Sequence, residues 1–266
     1  MPTIYTNEVD FLEAGSGPLV VLLRSSVAGA RQWRKLMETL ASSFHVRAVN
    51  LIGYGRTPSW RAERPMTLDD EVDCVAAAVP PGSRPFHLVG HSFGATVAMC
   101  AARRFGAEVG KLILLEPNPF DLLRQHGCTA AIDEVLSLRR TIKTHGEHGD
   151  WGPAAERFAD YWGGDGTWAA MDADRRRTFT GALAPNFHEW DAIMSETTPL
   201  AEWVEALPRR TLVVFDSNTV RPIRKIVWLM QQAAPWRFAT VQHGGHMAPL
   251  TRPDLVNPLI HRFLAA

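Results

Sequence analysis

The sequence has little cysteine. Cys74, Cys100 and Cys128 lie far apart with no CxxC pair, which excludes a disulfide framework and a cysteine-based zinc site and fits a reducing cytoplasm. It also has no excess charge of either sign. Lysine plus arginine (28) balance aspartate plus glutamate (28), so no global field draws the chain to nucleic acid or to an anionic membrane. A small-molecule partner, uncharged overall, is expected, and self-association as a homodimer is left open. No stretch has eighteen consecutive apolar residues, and the opening MPTIYTNEVDFLEAGSG carries acids where a signal peptide needs a positive flank and an apolar run. The expectation is a protein neither exported by that route nor membrane-spanning. Internal repeats and low-complexity tracts are missing as well.

Cofactor motifs are also lacking. Gly53-Tyr54-Gly55 and Gly163-Gly164-Asp165-Gly166 have glycines, but neither has the strand, GxGxxG spacing and helix that a dinucleotide needs, so no cofactor is expected. His145-Gly146-Glu147-His148 groups metal-ligand types without the HExxH spacing, and no metal is expected there. Arg175-Arg176-Arg177 reads as an exposed helix face.

What the sequence does have is alternation. Apolar, β-rich runs recur at 19–23, 45–51, 85–90, 111–116, 211–215 and 237–242. Helical spacing fills 31–43, 68–79, 93–105 and 222–234 between them. Strands alternating with helices predict an α/β domain with a mostly parallel sheet covered on both faces. The alternation stops between residues 117 and 207, where helix-like segments follow one another without a strand. This span predicts a helical cap inserted into a core made of residues 1–116 and 208–266. It holds Trp151, Tyr161, Trp162, Trp168, Phe179, Phe187 and Trp190. Trp151, Trp162 and Trp168, with Met247 from the core, are expected to line an apolar substrate pocket.

The sharpest signal is Gly90-His91-Ser92-Phe93-Gly94, between the strand FHLV and the helix ATVAMCAARRF. A nucleophile on a tight strand-to-helix turn leaves no room for side chains two positions before and after it, and both places hold glycine. The pattern alone arises by chance in roughly one chain in ten of this length, so its context matters. Ala95, Ala98, Ala101 and Ala102 would let the helix lie close to the sheet, and His246 follows the last strand.

On these residues the chain resembles the α/β-hydrolase fold family over nearly its whole length. The resemblance implies an eight-stranded sheet, Ser92 as nucleophile and His246 as general base; His91 and His243 are read as structural. The family's usual acid position is occupied here by Asn218 or Thr219, so Glu116, directly after the preceding strand, is the first candidate acid and Asp216 the alternative. The oxyanion donors are expected to be the amides of Phe93 and Ser26, although the usual His-Gly is replaced by Arg24-Ser25. Asn50-Leu51-Ile52-Gly53-Tyr54-Gly55 resembles a structural turn of the family and is given no chemistry. The implied activity is hydrolysis of a small, largely apolar carboxylic ester or related acyl substrate. Carbon–carbon bond hydrolysis, or ligand binding without catalysis, are the alternatives.

Overall fold

The computed structural model describes residues 8–266. Its centre is a sheet of seven strands, β1 (Phe11–Ala14), β2 (Leu19–Leu23), β3 (His45–Val49), β4 (Phe86–His91), β5 (Val109–Leu115), β6 (Thr211–Asp216) and β7 (Arg237–Val241). They lie in the order β1-β3-β2-β4-β5-β6-β7. Only β1 is antiparallel, to β3. The expected count of eight is therefore corrected to seven among the described residues. One of the seven, β1, is not foreseen in the sequence: FLEA has four residues on an edge and none is fully buried, so its hydrophobic signal is weak.

The central strands are buried on both faces, as the continuous apolar run LVVLL requires. Side chains alternate across the strand. Val20 and Leu22 join Trp33, Leu36, Leu40 and Ile260 on one face, which is covered by α1 (Arg34–Leu40) and the helix Pro253–Ala265. Leu19, Val21 and Leu23 join Val72, Val97, Ala101 and Ile226 on the other, under α2 (Leu68–Ala78), α3 (Phe93–Phe105) and α10 (Arg221–Ala233).

Between β5 and β6 the chain forms six helices: α4 (Asp121–Gln125), α5 (Thr129–Glu147), α6 (Trp151–Gly163), α7 (Ala173–Gly181), α8 (Leu183–Ser195) and α9 (Leu200–Ala206). No helix among the described residues is long and apolar enough to cross a membrane. The carboxyl ends of β2, β4, β5 and β6 converge beside this helical insertion, and open α/β sheets bind ligands at such strand ends.

Candidate active site

Ser92 joins β4 to α3 with φ 54° and ψ −119°. A non-glycine residue held there costs on the order of 1–3 kcal/mol, so its surroundings must enforce it. They do: a Cβ on Gly90 would lie 2.2 Å from the Gly94 carbonyl oxygen, and one on Gly94 would lie 2.3 Å from the Arg24 carbonyl oxygen. Both glycines are needed for the helix to start this close to the sheet. The Ser92 N–H donates to the Leu115 carbonyl at 2.8 Å, which ties the turn to β5.

His246 lies 2.9 Å, through Nε2, from Ser92 Oγ, and 3.0 Å, through Nδ1, from Glu116 Oε2. A carboxylate only accepts, so Nδ1–H donates to Glu116 and Nε2 is left to accept the serine hydroxyl proton. Glu116 itself has φ 50° and is 2 % exposed. It also accepts the Asp216 N–H at 2.7 Å and the Thr219 hydroxyl.

Asp216 does not touch His246. Its Oδ2 accepts the N–H groups of Gly244 and Gly245 at 2.7 and 2.9 Å, and its Oδ1 accepts that of Asn218 at 2.7 Å. Against the desolvation of burial, these three donors hold its carboxyl below the usual aspartate range. It braces the loop that presents His246. Of the two candidate acids, geometry joins Glu116 to the imidazole.

His91 connects this group to the loop after β2. Gln32 Oε1 accepts the N–H and hydroxyl of Ser25, Gln32 Nε2 donates to His91 Nδ1 at 3.0 Å, and His91 Nε2–H donates to the His246 carbonyl at 2.8 Å. Burial, and then the neighbouring His246, hold the His91 imidazole neutral, well below the ordinary histidine range. His243 sits in a left-handed conformation, φ 61°, at the start of the same loop. Ser26 and Phe93 line one cavity with Ser92 and His246, and among the described residues neither N–H has a protein acceptor.

Several residues at this site carry no isolated sequence signal. Asn118 Nδ2 lies 3.4 Å from Ser92 Oγ, and its Oδ1 accepts the Thr96 hydroxyl at 2.9 Å, which fixes the amide's orientation. Arg24 is fully buried and pairs with Glu189 of α8 at 2.6 Å, while Asn186 donates to the other Glu189 oxygen at 2.9 Å. Arg24 takes the place of the family's usual histidine and anchors the helical insertion to the loop after β2. The sequence carries a signal for one side only: Asn186, Glu189, Trp190 and Ile193 repeat at helical spacing, and polar residues on such an apolar stripe need a buried partner, but nothing in the pattern points to Arg24.

The cavity over Ser92 is small, about 30 Å³, room for roughly two waters. A larger chamber of about 500 Å³ adjoins it, and Ser26, Phe158, Trp162 and Met247 line both. Trp162 lies over His246 with ring centroids 4.2 Å apart and a 32° tilt. Trp151 and Trp168, expected at the pocket, line neither chamber. Trp151 packs edge-on against Phe187 and Trp168 against Phe179, inside the helical insertion. In the set-aside histidine cluster, His145 Nδ1 pairs with Asp150 and His148 Nδ1 donates to the Thr144 carbonyl.

Comparison with known proteins gives the family. The family model described as "Alpha/beta hydrolase family" matches residues 20–259. The chain belongs to the alpha/beta hydrolase family. Among curated relatives, Lipase LipV of Mycobacterium tuberculosis is 39 % identical over 104 residues. That match covers 38 % of this chain and 38 % of the lipase, well under two thirds of either. The 2-hydroxy-6-oxo-2,4-heptadienoate hydrolase of Pseudomonas putida is 25 % identical over 97 % of this chain and 93 % of that protein. Among solved structures, a bromoperoxidase from Bacillus anthracis superposes with a TM-score of 0.77 at 17 % identity, covering 99 % of each chain. This last likeness shows the fold.

Proposed function

We propose that this hydrolase cleaves a small carboxylic ester through an acyl-enzyme on Ser92. The observation that carries the reading is the directed hydrogen-bond chain from Ser92 Oγ through His246 to Glu116, on a serine held at positive φ. In this mechanism Ser92 Oγ attacks the ester carbonyl carbon while its proton passes to His246 Nε2. Glu116 stabilises the imidazolium that results, and the face of Trp162 adds a cation–π attraction. The Phe93 and Ser26 amides bind the oxyanion. Collapse expels the alcohol, which takes the proton back from His246. Water then attacks the acyl-enzyme with His246 again as base, releasing the acid and restoring Ser92.

The small cavity at Ser92 supports a short acyl group, and the adjoining chamber supports a bulkier alcohol. We read α4–α9 as a cap that closes over both, in a cytoplasmic enzyme whose chemistry draws on its own side chains and water. The test is steady-state hydrolysis of chromogenic esters of increasing acyl length by the wild type and by Ser92→Ala. Turnover is expected to peak at two or three acyl carbons and to fall by about 10⁶ in Ser92→Ala. Activity that survives Ser92→Ala would exclude the mechanism.

A second reading, carbon–carbon bond hydrolysis at the same serine, is favoured by the near full-length likeness to the heptadienoate hydrolase. A wild type that turns over a vinylogous diketone and ignores every ester would establish it. A protein that turns over neither, and is not labelled by a serine-directed phosphonate, would be a ligand-binding relative.

A further inference from the structure

The large chamber differs in charge from the rest of the molecule. Its apolar walls come from Val27, Phe158, Trp162, Met171, Phe179 and Met247. Two exposed arginines also line it: Arg31, from the short 3-10 helix Ala30–Trp33 after β2, and Arg175, from the first turn of α7. Neither forms an ion pair among the described residues, and no aspartate or glutamate lines the chamber. A chain with zero net charge thus has a locally cationic recess. The charge balance of the whole sequence implied an uncharged partner, but the local lining points elsewhere.

A second observation is position: Ser26, Phe158, Trp162 and Met247 line both this chamber and the Ser92 cavity, so a molecule filling the chamber lies beside the reacting serine. The chamber's volume of about 500 Å³ is the size of a small-molecule site rather than a macromolecular contact.

We propose that this chamber binds the alcohol half of the ester and selects an alcohol with an apolar ring or chain ending in an anionic group, a carboxylate or a phosphate. The arginines come from the core and from the helical insertion, so the anion bridges the two and holds the insertion down over the reacting ester. This inference rests on the serine-ester reading, and its test separates the two.

The substrate pair is 4-acetoxyphenylacetate and its neutral isostere 4-acetoxyphenylacetamide, which share the acyl group and the ring. The wild type is expected to prefer the anion by about tenfold in kcat/KM at low ionic strength. That ratio should fall about threefold in Arg31→Gln or Arg175→Gln, approach one in the double variant, and shrink with added salt. Equal kcat/KM for the two esters, or a ratio that neither substitution changes, would overturn the proposal. Both residues are exposed, so the variants are expected to fold. In parallel, binding of 4-hydroxyphenylacetate and 4-hydroxyphenylacetamide to Ser92→Ala is followed by tryptophan fluorescence. Tighter binding of the carboxylate, weakened by the arginine substitutions, supports the site even if no ester is cleaved, and the ester reading alone would then fall. Equal affinity for the two phenols would sink the anion site whatever the enzyme hydrolyses.

Discussion

Two neighbouring parallel strands lead into buried carboxylates, Glu116 after β5 and Asp216 at the end of β6, and their surroundings give them different tasks. Exposure does not separate them, at 2 % and 0 %. Partners do. Asp216 receives three backbone N–H groups and so shapes a loop. Glu116 receives one backbone N–H, from Asp216 itself, and two side-chain donors, Thr219 and His246. The longer glutamate arm, launched from a left-handed backbone, spans to the imidazole, while the shorter aspartate is taken up by the loop that carries that imidazole. A strand end can supply an acid, but the donors around it decide whether it orients a side chain or a backbone.

The sharpest way to break this comparison is to neutralise each acid in turn. Glu116→Gln is expected to lower kcat by about 10⁴, roughly 5–6 kcal/mol of transition-state stabilisation, with the fold retained. Asp216→Asn should act on stability instead. An amide NH₂ cannot accept from both glycine N–H groups, so urea unfolding should show a loss of about 2–3 kcal/mol with kcat within about tenfold of wild type. Because the Asp216 carboxyl is held below its usual range, the stability it contributes is present above the ordinary aspartate range and is lost as pH falls through its folded value. The Asn variant should lack that part of the acid limb. Similar losses of kcat in the two variants would erase the distinction.

A smaller effect sharpens it. Thr219→Val removes one side-chain donor from Glu116 and leaves the imidazole in place, so kcat should drop about tenfold, or about 1.4 kcal/mol. A Thr219→Ser variant, which keeps the hydroxyl, should recover most of the loss. If Val and Ser behave alike in ester turnover, packing rather than the hydrogen bond is what Thr219 contributes.

How far the sequence reveals this site follows from what each residue depends on. The turn around Ser92 is legible because its requirements are local: a strand, two glycines where side chains would collide, and a helix of small residues. His246 and Glu116 are legible by position after their strands. Asn118, Gln32 and the Arg24–Glu189 pair are not, because their roles exist only once distant segments meet; Arg24 and Glu189 are 165 residues apart. The aromatic count of the insertion misleads for a geometric reason. Trp151 and Trp162 lie on one helix eleven residues apart, about 16 Å along its axis, so only one end of α6 reaches the pocket. The strand β1 is missed because four half-exposed residues carry too little pattern.

A third buried acid tests whether burial alone can set a carboxylate's behaviour. Glu71 on α2 is fully buried, accepts the Ile52 N–H at 3.0 Å through Oε2, and has no partner at Oε1. Burial pushes its carboxyl up to about 8, against the pull of the nearby Arg24 charge. The folded chain therefore keeps a proton that the unfolded chain releases near the ordinary glutamate range. Stability is full below that range and falls as pH climbs through it towards about 8. Glu71→Gln keeps the acceptor for Ile52 and removes the ionisation, so its unfolding free energy should be flatter across this window and exceed the wild type's above pH 8. Turnover at pH 7 should be nearly unchanged. A wild type whose stability does not fall between pH 5 and 8 relative to the Gln variant would mean that Arg24 holds Glu71 ionised. A partner's charge, rather than burial, would then decide the state of this carboxyl.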